Sequence, residues 1–62
     1  MCLSNVILIE DGTETLVCEY ASNVSVEGDQ IRLTDVIGQE TAVTGTILSV
    51  DLIKNVIKVQ AK

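Results

Sequence analysis

Sixty-two residues make one small domain, spanning 1–62, and a folded chain of that size hides only about 60% of the surface its unfolded form exposes, so support from a metal or from self-association is expected. Nine acidic residues against four basic ones leave a net charge of −5, which repels phosphate backbones and anionic membranes; the single aromatic, Tyr20, offers no platform for stacking bases. Histidine is absent, so neither a Ser/His/Asp nor a Cys/His catalytic set can be built within one chain, and the protein is not expected to be an enzyme.

Valine, isoleucine and threonine supply 22 residues, proline is absent, and turn signals punctuate the apolar positions at roughly eight- to twelve-residue intervals. That is an all-β pattern. A first strand is expected over Cys2 to Glu10, ended by Asp11-Gly12, a dipeptide that tolerates the positive φ of a tight hairpin. A second, Thr13 to Tyr20, would point Leu16, Cys18 and Tyr20 to one face and Thr15, Val17 and Glu19 to the other. Val24 and Val26 lead to a second hairpin signal at Gly28-Asp29, beyond which Ile31 and Leu33 alternate with Arg32 and Thr34. Gly38 breaks the chain before a fourth strand from about Thr41 to Leu52, with Val43 early and then Leu48, Val50 and Leu52 on one face. The glycine inside it, Gly45, suggests a bulge or a barrel corner.

The last segment, residues 52–61, can be drawn two ways. Ile53, Ile57 and Ala61 are four apart, as are Lys54, Lys58 and Lys62, and Asp51 could cap a helix. Asn55 nevertheless stands where a hairpin turn is needed, and Val56, Ile57 and Val59 are β-branched, so strand, turn, strand is preferred. The expected architecture is a small, strongly bent five-stranded antiparallel barrel, SH3-like in plan, whose edges need cover from a partner chain.

The first residues lack a basic leader and the longest apolar run, Val6 to Ile9, is far too short to span a bilayer, so a cytoplasmic protein with reduced thiols is expected, without membrane or nucleic-acid partners. The carboxylate pairs Glu10-Asp11 and Glu27 with Asp29 flank hairpin turns and read as solvated turn residues. Lys54, Lys58 and Lys62 read as a solvated surface.

Cys2 has an option no internal cysteine has. Removal of the initiator methionine ahead of a small side chain would leave Cys2 as the N-terminus, where α-amine (~7.7–8.0) and thiol (~8.5) can both lose a proton to a divalent metal and close a five-membered chelate. Two such chains about a two-fold axis present two thiolates and two amines, a set that suits square-planar Ni(II) or Cu(II). Two readings compete with this. Cys2 can be incidental, the protein then being a metal-independent interaction module that pairs through a strand edge or docks on a basic surface. Alternatively, Cys2 and Cys18 of both subunits form a four-thiolate zinc site, which requires Cys18 to leave the core, where it otherwise acts as a small hydrophobe.

The opening Met1-Cys2-Leu3, the Asp11-Gly12 turn, the centre VEGDQIRLTDVIGQE and the closing VDLIKNVIKV together resemble the CooT family of small nickel-binding proteins, over essentially the whole chain. The resemblance implies an SH3-like homodimer that carries Ni(II), a nickel metallochaperone linked to delivery for carbon monoxide dehydrogenase or another nickel enzyme. It also implies that the cysteine after the initiator methionine, here Cys2, is the metal ligand at the dimer interface. Members of that family have also been described as RNA-binding, which the acidic, aromatic-poor composition argues against.

Overall fold

A computed structural model describes residues 3–62. Five strands follow one another: β1 (Ser4–Glu10), β2 (Thr13–Glu27), β3 (Gln30–Asp35), β4 (Glu40–Asp51) and β5 (Val56–Ala61). Each pairs antiparallel with the next, and β5 returns beside β1 to close the ring. Five strands of alternating direction leave the first and last pointing the same way, so the closing pair must be parallel. It is: Val6 faces Ile57 and Leu8 faces Val59. The expectation of an antiparallel sheet throughout is therefore corrected at this one seam.

Both predicted hairpins form where the turn residues permit them. Glu10 faces Thr13 across a two-residue loop in which Asp11 (φ 50°) and Gly12 (φ 77°) both take positive φ, the signature of a type I′ turn. Glu27 faces Gln30 across Gly28 (φ 62°) and Asp29, with positive φ at the first position only, as in a II′ turn.

The second strand runs on to Glu27 instead of stopping at Tyr20, and it bends because it carries more residues than its partners. Val17 is an extra residue between the Val6–Cys18 and Ile7–Leu16 pairs. Glu19 and Tyr20 together oppose Asn5, and Ser22 is extra between the Ala21–Asp35 and Asn23–Thr34 pairs. Tyr20 takes up the kink with φ 56°. Strict alternation cannot survive three such insertions. Cys18 and Ala21 are buried, three apart, whereas Leu16 and Tyr20, expected beside Cys18 on one face, are exposed.

Gly45 is a barrel corner. Up to Thr44 the fourth strand pairs with β3, and from Gly45 onward it pairs with β5. The bulge lies three residues further on, at Leu48, which is extra between the Ile47–Val59 and Ser49–Lys58 pairs. Leu48, Val50 and Leu52 are consequently exposed, and Val43 and Ile47 are the residues of this strand that pack on the core.

That core is Val6, Cys18, Ala21, Ile31, Leu33, Ile57 and Val59, with at least one contribution from every strand but β4. Ile31 and Leu33 alternate with Arg32 as expected. The last segment is turn then strand, with Asn55 at φ 58° entering β5, so the helical drawing of residues 52–61 is excluded. Asp51 does act as a cap, but of a single turn: its Oδ1 accepts the N–H groups of Ile53 (3.0 Å) and Lys54 (2.9 Å).

Candidate metal centre

Cys2, the expected nickel ligand, lies outside the described residues. What the fold positions is the start of β1, from which the N-terminal segment leaves. Ser4 faces Ala21 at the kink of β2, and Asn5 faces Val56 at the start of β5. Asn5 ties three elements together. Its N–H donates to the carbonyl of Asn55 (2.9 Å), and its Oδ1 accepts the N–H of Tyr20 (3.4 Å). The side-chain Oδ1 of Asn55 is buried there without a hydrogen-bond partner.

Cys18 is 8% exposed and sits within the core cluster. Burial, reinforced by the negative charge of Asp35, pushes its thiol pKa above the ordinary value, so it stays protonated at neutral pH. A protonated thiol held among Val6, Leu33 and Ile57 cannot ligate a metal without unpacking the core. The four-thiolate zinc arrangement would require that unpacking; as folded, Cys18 is the small hydrophobe expected.

The turn carboxylates behave as read. Glu10, Asp11, Glu27 and Asp29 are all exposed, and Asp29 Oδ2 meets Lys62 Nζ at 2.6 Å. Lys58 reaches Glu14 at 3.6 Å, which leaves both lysines in surface ion pairs of small energetic weight. Among the described residues no three Cys, Asp or Glu side chains converge to hold a metal. A groove of about 340 Å³ lies over β1, β4 and β5, lined among others by Ile7, Glu14, Asp51, Lys54 and Lys58; it mixes both signs of charge and favours neither kind of ion. No helix of the described residues is long and apolar enough to cross a membrane.

Asn5 and Asp35 were not singled out from the sequence. Asp35 Oδ1 accepts the N–H groups of Ile37 (3.0 Å) and Gln39 (2.9 Å), closing the β3–β4 turn as Asp51 closes the β4–β5 turn. The shared spacing, aspartate then isoleucine two residues on, was the available signal.

The family model for the CO dehydrogenase accessory protein CooT matches residues 1–60. The chain belongs to the CooT family. Membership places it among accessory proteins of carbon monoxide dehydrogenase, with a role in maturation of that enzyme. The fold agrees: the crystal structure of the protein assigned as CooT in Carboxydothermus hydrogenoformans superposes with a TM-score of 0.89 over 98% of both chains, at 16% identity. At that identity the likeness concerns fold. Among curated proteins no sequence matches this chain.

Proposed function

We propose that this CooT protein is a homodimeric nickel carrier of the cytoplasm, a metallochaperone in which Cys2 of both subunits ligates one shared Ni(II) ion for transfer to carbon monoxide dehydrogenase or another nickel enzyme. The observation that carries the reading is the family match over residues 1–60, which includes Cys2. The chemistry of the donors supports it. The chain has two thiols and no imidazole, and Cys18 is committed to the core, so a soft donor for a late divalent metal falls to Cys2.

Nickel is cargo in this reading, and the chain's task is to hold and release it. Cys2 gives up its thiol proton and, once methionine is removed, an α-amine proton; Asn5, three residues further on, ties the start of β1 to Asn55 and Tyr20. The two-fold axis completes a donor set that one chain of this size lacks. The single domain over 1–62 is SH3-like in plan, acts as no enzyme, and engages neither nucleic acid nor membrane.

The test is nickel affinity, by chelator competition, of the wild type, Cys2→Ser and Cys18→Ser. Loss of tight binding in Cys2→Ser with a preserved fold, and near-normal binding with lowered stability in Cys18→Ser, is expected. The reverse ordering overturns the assignment.

A further inference from the structure

The closed ring still contains half-strands that are paired on one side only. Up to Cys18, β2 pairs with β1, and from Ala21 it pairs with β3, so among the described residues the second edge of its first half has no neighbour. From Thr13 to Leu16 the register is uninterrupted, Thr13 facing Glu10, Glu14 facing Ile9, Thr15 facing Leu8 and Leu16 facing Ile7, and all of Thr13 to Leu16 is exposed. In an antiparallel ladder every second residue turns its N–H and C=O away from the partner strand. Among the described residues no turn, side chain or other strand bonds to the main chain of Thr13 to Leu16, so its outward groups stand open to water. The second half of β4, from Thr46 to Asp51, likewise pairs with β5 alone, but the bulge at Leu48 interrupts it, and a bulge twists an edge away from a straight partner.

Charge distinguishes the β2 edge further. Glu10 and Asp11 precede it, Glu14 lies within it and Glu19 follows it, all exposed. The half-strands 23–27 and 40–43, which pair with β3 alone, carry one carboxylate each. Lys58 is the cation paired with this group, and it comes from the closed side: it faces Ile7, which faces Leu16, and it reaches Glu14 at 3.6 Å across β1. The open side of Glu14 has no cation among the described residues.

We propose that the Thr13–Leu16 edge accepts an extended segment of another protein, one in which lysine or arginine alternates with aliphatic residues. Main-chain bonds to the outward groups would hold such a strand, and the side chains of one face would choose it: a cation opposite Glu14 and an aliphatic group opposite Leu16 are the complementary cross-strand pairs. A second copy of this chain fits poorly. Antiparallel pairing about Thr15 sets Glu14 against Leu16 and brings together two chains of net charge −5 with no cation opposite either carboxylate.

The test is amide hydrogen exchange and chemical-shift mapping by NMR on the full chain, with a short blocked peptide alternating lysine and valine as the probe and its glutamate–valine counterpart as the comparison. In the free chain the outward amides of Thr13 to Leu16 should exchange freely at every protein concentration. The lysine peptide at millimolar concentration should slow them and shift their signals, and the glutamate peptide should not. Glu14→Lys, at an exposed position, should weaken the lysine peptide about threefold or more and favour the glutamate peptide. Protection already present in the free chain and rising with its concentration overturns the occupant, because a second copy then holds the edge. Shifts spread over every acidic turn, with no slowed exchange at Thr13 to Leu16, reduce the effect to charge attraction and overturn the edge. A lysine peptide bound equally well by Glu14→Lys overturns the choice by charge.

Discussion

Replacing Gly45 by alanine perturbs the corner on which ring closure depends. A Cβ built there overlaps the backbone carbonyl oxygen of Gln60, and lies 3.1 Å from that carbonyl's carbon and 3.2 Å from Val59 Cγ1. The obstruction is backbone in a paired strand, and Val59 is fully buried, so neither can swing aside. Gly45 also donates its N–H to Asp29 O at 2.8 Å, a bond that any retreat of β4 from β5 strains. Overpacking of this kind costs about 1–3 kcal/mol and a weakened buried hydrogen bond about 1 kcal/mol more, for a total near 3 kcal/mol. Against a stability of about 3–9 kcal/mol for a chain of this length, the variant should melt roughly 12–24 °C lower. Thermal unfolding by circular dichroism at one fixed protein concentration is the assay, since any self-association would make the midpoint concentration-dependent. Gly28→Ala is the matched comparison: its φ is +62° but nothing lies within 4 Å, so it incurs only left-handed strain of about 1–2 kcal/mol. A Gly45→Ala variant within 1 kcal/mol of the wild type, or less damaging than Gly28→Ala, refutes the corner argument.

Leu33→Ala, at a fully buried position, should cost about 2–5 kcal/mol in urea unfolding; Leu52→Ala, at a position 76% exposed, should change folding stability little. Cys18 has a raised pKa in the fold, so the stability its neutral form contributes is fully present below the unfolded-state value, near 9.0, and is lost as pH rises through the higher folded value. Wild-type stability should thus fall above pH 9 more steeply than that of Cys18→Ala. Nickel affinity should fall as pH drops below the free values of the two N-terminal donors, about 8; affinity that stays flat from mildly alkaline to mildly acidic pH rules out amine-plus-thiolate ligation.

Turn chemistry was the most legible part of the chain. Asp11-Gly12, Gly28-Asp29 and Lys54-Asn55 declared three reversals because positive φ is confined to few residue types, and the structure has all three. Gly45 declared a corner for a different reason: a glycine inside a strand marks a close approach of backbone, here that of the Gln60 carbonyl. Alternation fails where it is extended across a kink: the Val17, Tyr20 and Ser22 irregularities and the Leu48 bulge each shift the facing of the downstream residues by one position, and no residue type marks them. Leu16, Tyr20, Leu48 and Val50 consequently look like core in the sequence and stand in water in the structure. The parallel seam was implicit in counting five strands of alternating direction. For the site, Cys18 is buried as expected although Leu16 and Tyr20, expected on the same face, are exposed, whereas the anchoring of β1 by Asn5 depends on contacts with Tyr20 and Asn55 that are distant in sequence.

Native mass spectrometry of the purified protein titrated with Ni(II), beside Cys2→Ser, tests the central claim most directly, because one spectrum reports methionine removal, oligomeric state and metal stoichiometry. The account predicts a dimer of chains lacking Met1 that takes up one nickel ion, with the ion lost in Cys2→Ser. A protein that ignores nickel, or binds it equally well without Cys2, contradicts it.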